Sequence, residues 1–137
     1  MPILDTDLII GYLRKNPKAV AVMEDLIARE VSNLKTTLFN VGELYVGIYY
    51  SKNVAKSERA MNDLINQFEI LDFSYEDART YGQIASELQK RGEIIGDLDE
   101  LIASIAINHK ETLITRNVDH YKRINRLTFA NWEEMAA

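Results

Sequence analysis

Residues 1–10, MPILDTDLII, constrain everything that follows. Met1 to Leu4 form a short run without a polar side chain, Asp-Thr-Asp comes next, and Leu8, Ile9, Tyr12 and Leu13 then recur at helical spacing. A brief apolar run that stops at a turn signal suits a fully buried strand. The unit reads as a strand feeding a helix, with Asp5 at the carboxyl end of the strand, the edge where open α/β sheets bind ligands. The plainer role for Asp5 or Asp7 is that of N-cap, since an Asp side chain accepts a hydrogen bond from an orphan helix N–H. The choice turns on whether other acids occupy equivalent junctions.

The rest of the chain repeats the alternation. Asn16-Pro17 marks a break, and Val20, Met23, Leu26, Ile27 and Ala28 outline a second helix. Residues 34–38 (LKTTL) read as a strand, and Asn40 opens a helix in which Val41, Leu44, Tyr45, Ile48 and Tyr49 share one face. A charged helix over 56–67 turns Met61, Leu64, Ile65 and Phe68 inward, and residues 69–73 (EILDF) form a third strand. Ser74 caps a long helix with Asp77 at capping-box spacing, and Gly92 ends it. After a loop over 93–98, Asp99 begins a helix that is apolar on nearly every face and therefore central and buried. Residues 111–115 (ETLIT) are the fourth strand, Arg116-Asn117 a turn, and 127–130 a last strand. Such alternation predicts an α/β fold, a three-layer α/β/α sandwich with a mainly parallel central sheet, in a single domain over 1–137.

Composition narrows the chemistry. The absence of cysteine removes disulfides, thiolate catalysis and zinc–sulfur sites, and His109 and His120 are too few for a His-rich metal centre. Asp5 and Asp7 interrupt the apolar N-terminus, and no stretch reaches membrane-spanning length, so a cytoplasmic protein with no membrane contact is expected. Sixteen basic against twenty-one acidic residues give a net charge of −5. That balance argues against a duplex coat that binds by neutralising phosphates. It leaves room for an enzyme that meets nucleic acid through a local basic rim and a metal, or for a basic protein partner.

Acids recur where strands hand over to helices. Asp5 and Asp7 follow the first strand, Glu43 lies in the first turn of the helix after the second, Asp97 and Asp99 open the buried helix, and Asn117 and Asp119 follow the fourth strand. Parallel strands would bring these side chains to one end of the sheet. Carboxylates packed together repel one another and raise each other's pKa. Their hard oxygens suit Mg²⁺ or Mn²⁺, which can activate water and stabilise an in-line phosphoryl displacement. Each has a bland alternative: Glu43 sits at capping-box spacing from Asn40, Asp97 and Asp99 can cap, Asn117 can be a turn residue, Asp7 can cap or support, and His120 can be a surface residue.

LDTD at 4–7, GELYVG at 42–47, DELIASIA at 99–106 and LITRN at 113–117 together resemble the PIN-domain family, most closely its VapC ribonuclease toxins. The resemblance covers the whole chain. It implies a metal-dependent endoribonuclease, the toxin of a toxin–antitoxin pair, often a homodimer and inhibited by a VapB-type antitoxin. Asp5, Glu43 and Asp99 match the family's three core acids, and Thr6 and Thr115 match supporting hydroxyls. Asn117 stands where many relatives carry a fourth acid, and His120 precedes Tyr121 where some carry an acid before an aromatic. Asp97 or Asp119 is then a candidate fourth carboxylate.

On this reading Asp5, Glu43 and Asp99 hold Mg²⁺ or Mn²⁺, and Arg116, Lys122, Arg123 and Arg126 guide the RNA backbone or form a solvated face. A phospho-receiver module also gathers acids at strand ends. It needs an acceptor Asp ending the middle strand and a Lys ending a late one, whereas Asp72 falls inside the third predicted strand and Thr115-Arg116-Asn117 offers no Lys. A non-catalytic RNA- or protein-binding scaffold is the third reading, and retention of all three core acids argues against it.

Overall fold

The computed structural model describes residues 2–29 and 34–135. The first half runs β1 (Ile3–Leu4), α1 (Thr6–Leu13), α2 (Pro17–Ala28), β2 (Leu34–Thr37), α3 (Leu38–Tyr50), α4 (Val54–Ile65) and β3 (Phe68–Leu71). The second half runs α5 (Tyr75–Arg91), α6 (Asp97–His109), β4 (Leu113–Thr115), α7 (Val118–Tyr121), β5 (Phe129–Asn131) and α8 (Trp132–Met135). The strands pair in the order β3-β2-β1-β4-β5, all parallel. β2 and β3 extend the sheet on one side of β1, and β4 and β5 on the other. The direction of winding therefore reverses between β1 and β4, and the crevice at such a reversal is where open α/β sheets bind ligands.

Successive strand side chains point to opposite faces, and this divides the core in two. Leu4 and Ile114 pack with Leu8, Ile9, Met23, Leu44 and Met61 under α1 to α4. Ile3 and Leu113 pack with Ile84, Leu88, Ile102 and Ile105 under α5 and α6. The result is the expected three-layer α/β/α sandwich, with α6 central and both Ile102 and Ile105 fully buried. α5 starts as its sequence predicts: Ser74 Oγ accepts from the Asp77 N–H at 3.1 Å, Asp77 Oδ2 accepts from the Ser74 N–H at 2.9 Å, and Gly92 closes the helix at φ 68°.

Element limits differ from the sequence reading at several points. β2 ends at Thr37 rather than at residue 38 because Thr37 caps α3, so α3 begins before Asn40. Glu43 consequently lies in the second turn of α3, and the capping box is closed by Thr37 and Asn40 without it. β3 stops at Leu71, which puts Asp72 just past the strand instead of inside it. α4 starts at Val54, since Asn53 accepts from the Lys56 N–H at 3.1 Å. α6 starts at Asp97 behind Gly96 (φ 112°) and has no side-chain cap, so neither Asp97 nor Asp99 serves in that role. α2 buries Ala19, Val22, Met23 and Leu26, a stripe rotated away from the expected Ile27, which is 45% exposed. Tyr49, expected on the inner face of α3, is exposed, and Leu44 and Ile48 carry that packing. The strand expected over 111–115 is paired only at Leu113–Thr115, and the one over 127–130 at Phe129–Asn131. Met1, assigned to the first strand, falls outside the described residues.

Candidate active site

β1 delivers Asp5 to the reversal point, and α1 begins at the next residue. Asp5 Oδ1 accepts from the Thr6 N–H at 2.9 Å, so Asp5 is the N-cap of α1 and a buried acid at once. Two further donors converge on it. Asn40 Nδ2 donates to Oδ1 at 2.9 Å and Thr115 Oγ1 donates to Oδ2 at 2.7 Å. Burial outweighs these donors and, with the neighbouring Asp7 charge, pushes the Asp5 carboxyl up to about 7.

Asn40 is aimed by the capping box. Its Oδ1 accepts from the Thr37 N–H at 3.2 Å and from the Thr37 hydroxyl at 2.7 Å, which leaves both amide hydrogens for Asp5 and for Thr6 Oγ1, the latter at 2.9 Å. Thr6 passes the order on by donating to Glu43 Oε1 at 2.7 Å. Glu43 is half-buried, and burial raises its carboxyl against the lowering effect of that hydrogen bond, with Asp99 and Asp7 adding to the rise.

Asp99 enters from α6 and is held by the segment after β4. Tyr121 donates to its Oδ1 at 3.2 Å, while Asn117 Nδ2 at 3.0 Å and His120 Nδ1 at 2.8 Å meet its Oδ2. So short an approach to a carboxylate requires the imidazole proton on Nδ1, which makes the 2.9 Å contact between Asn117 Nδ2 and His120 Nδ1 a pair of neighbouring donors. The Tyr121 phenol is pushed upward by burial and then by Asp5 and Asp99, which keeps it a donor. Asp7 accepts from Trp132 Nε1 at 2.8 Å and from the Arg116 N–H at 3.1 and 3.2 Å.

Asp5, Asp7, Glu43, Asp99, Arg116 and Asn117 line one open cleft of about 670 Å³. Among the described residues no three His, Asp or Glu side chains form a finished cage for an ion, so the core acids share a cleft without closing on a common point. Asp97 lies outside it, exposed, with the Tyr81 hydroxyl 3.3 Å away. Asp119 is exposed and pairs with Lys122 at 3.2 Å. Arg123 reaches the carbonyls of Glu93 and Ile94, and Arg126 reaches Gln83, so of the four cations named from sequence only Arg116 faces the cleft.

The sequence model of the PIN domain matches residues 3–127. The chain belongs to the PIN-domain family. Within it, the chain is 32% identical to Ribonuclease VapC2 of Rickettsia felis, over 96% of this chain and 97% of that protein. Its structure superposes on VapBC2 of Rickettsia felis, solved bound to a promoter DNA fragment, with TM-score 0.87 and 31% identity over 96% of this chain and 98% of that one. VapBC-1 of nontypeable Haemophilus influenzae gives TM-score 0.80 and 33% identity over 96% and 97%. This PIN domain is therefore of the VapC type. Membership removes the phospho-receiver reading, in keeping with a β4 that ends without a Lys.

Some residues of this PIN domain's cleft escape a reading of the sequence alone. Asn40 was legible only as a helix opener, although Thr37-x-x-Asn40 is itself a capping signal. His120, read as a surface residue, contacts Asp99. Trp132 is fully buried and reaches Asp7 across 125 positions, which no local pattern encodes. Arg14 and Lys15 also line the cleft and look, in sequence, like an ordinary charged helix end.

Proposed function

We propose that this PIN domain is an endoribonuclease that hydrolyses RNA phosphodiester bonds as the toxin of a VapBC-type pair. The observation that carries the reading is the convergence of Asp5, Glu43 and Asp99 on one cleft of a VapC-type fold. The Rickettsia felis relative is named a ribonuclease, and the superposed structures are VapBC complexes. No helix among the described residues is long and apolar enough to cross a membrane, and the cytoplasm, where RNA is at hand, is the proposed site of action.

The donor set fits Mg²⁺ or Mn²⁺. It consists of hard carboxylate oxygens, and burial, with like charge added, already raises Asp5 and Glu43, a burden that a dication would relieve. Asp5, Glu43 and Asp99 would hold the ion. The chemistry it supplies is activation of water and neutralisation of charge on the phosphoryl oxygens. The chain's own groups do the positioning. Asn40, Thr6 and Thr115 fix the Asp5 and Glu43 carboxylates, while Tyr121, His120 and Asn117 fix Asp99. Asn117 takes the place of a fourth acid by donating to Asp99, which lowers the number of negative charges in the cleft. Held side chains of this kind leave little reorganisation for the reaction itself.

For the antitoxin, a second groove of about 400 Å³ between α1, α3 and α4 presents Leu13, Leu44, Ile48 and Met61, and it shares Ile10 and Arg14 with the acidic cleft. The exposed Val46, Tyr49 and Tyr50 of α3 offer further apolar area for a partner, including the second copy of a homodimer. Incubating the purified protein with structured RNAs, with and without Mg²⁺ or Mn²⁺, tests the activity. Asp5→Asn should reduce metal-dependent cleavage by about two orders of magnitude or more while circular dichroism stays unchanged. Full cleavage by that variant would overturn the assignment.

A further inference from the structure

The cleft has a basic wall as well as an acidic one, although the chain is acidic overall. Arg14, Lys15 and Arg116 line it, and among the described residues none of the three makes an ion pair. For Arg116 this is unexpected, because its own backbone N–H donates to Asp7. Its guanidinium instead lies over the Trp132 ring, 5.5 Å from the centroid. Trp132 is fully buried and pinned through Nε1 to Asp7, so it is a fixed platform. A guanidinium seated on an indole is restrained on one face and keeps its hydrogen-bonding fork free at the edge. Lys15 closes α1 at φ 61°, the left-handed conformation common just past a helix end and shared by Lys110 after α6. That turn carries the chain from α1 into α2, which Asn16 caps, and keeps Arg14 and Lys15 on the cleft rim. The space is also larger than an ion needs: a hydrated ion fills roughly 200 Å³ at about 30 Å³ per water, against 670 Å³ here.

We propose that Arg14, Lys15 and Arg116 form a phosphate-gripping wall that holds the RNA backbone beside the scissile bond, with Arg116 as its pre-positioned member. This rests on the ribonuclease reading above and moves the backbone contact away from Lys122, Arg123 and Arg126, whose side chains engage other parts of the surface. Contacts to the backbone alone predict weak sequence preference at this wall and strong dependence on salt.

The test is binding of a fluorescent single-stranded RNA by the full chain in the Asp5→Asn background, titrated across salt concentrations in the presence of chelator. Arg14→Gln, Lys15→Gln and Arg116→Gln should each weaken binding several-fold at low salt. Each should also flatten the slope of log K against log salt by about 0.7, the value for one lost single-strand phosphate contact. Lys122→Gln and Arg126→Gln should leave affinity and slope at the parental value. If the wild type cleaves RNA but the three cleft variants keep the parental slope, the wall is overturned and the ribonuclease reading stands. A wild type that neither cleaves nor binds RNA overturns both.

Discussion

Asp5 carries a conflict that its neighbours reduce without removing. It caps α1 and accepts from Thr6, Asn40 and Thr115, yet burial and the charge on Asp7 still lift its carboxyl to about 7. The direction of the resulting pH effect follows from linkage. Between the unfolded value near 4 and the folded value near 7, the native state holds a proton that the unfolded chain has lost. Stability of the metal-free protein therefore falls as pH rises through that window. A shift of about three units corresponds to a ceiling of about 4 kcal/mol. Glu43 shifts in the same direction and adds to the trend. Asp5→Asn removes the titration while keeping the shape. Urea unfolding in chelator should show the variant more stable than the wild type at pH 8, with the advantage shrinking towards pH 4. A difference that is constant with pH would mean that Asp5 is ionised throughout.

The elements hold the site by close contact as well as by hydrogen bonds. A Cβ placed on Gly11 would stand 2.9 Å from the Ala19 Cβ, where α1 crosses α2, so the two helices touch through the missing side chain. Gly11→Ala gains about 1 kcal/mol of helix propensity but forces α2 outward, and overpacking of this kind costs about 1–3 kcal/mol. The net expectation is a loss of about 1 kcal/mol in chemical denaturation, recovered when Ala19→Gly is added; a stabilised single variant would contradict the contact. This crossing also explains what a sequence reading can and cannot reach. Strand-and-helix alternation, the strand order along the chain and the meeting of Asp5 with an α/β edge were legible, because each depends on short-range patterning. The start of α6 was not, since Gly96 opens it at positive φ with no capping side chain to announce it. β2 ends one residue short of its sequence pattern, because LKTTL keeps strand-like composition past the residue that caps α3. The inner stripe of α2 is rotated from the sequence pattern because Ala19, small and unremarkable in sequence, is the residue fitted against Gly11. Trp132 and Asn40 became part of the cleft only through contacts that the folded sheet creates.

At the scale of the whole molecule, a chain of net charge −5 builds its cleft at the one reversal of its sheet and lines it with opposed charges. Asp5, Glu43 and Asp99 come from the β1–α1 junction, α3 and α6, spread along most of the chain, and no short fragment carries all three. An ion held by them would therefore bind only the assembled fold. Anything that binds the native state alone stabilises it by mass action, by about 2.7 kcal/mol at a hundredfold excess over Kd. For a domain of this size that corresponds to a rise in Tm of roughly 5–10 °C. Mn²⁺ or Mg²⁺ should produce such a rise in thermal scans of the wild type. The rise should be larger at pH 8 than at pH 6, because Asp5 gives up a proton as the ion binds. The shift should be lost in a variant carrying Asp5→Asn, Glu43→Gln and Asp99→Asn, and kept in Asp119→Asn, whose carboxylate faces Lys122 outside the cleft. An equal shift in the triple variant would place the ion elsewhere on the acidic surface. Among the described residues the acids line the cleft without forming a finished cage, so an ion that tolerates looser geometry suits them better. The same scans should therefore show the smaller, geometrically stricter Mg²⁺ giving a shift no larger than Mn²⁺ at equal concentration.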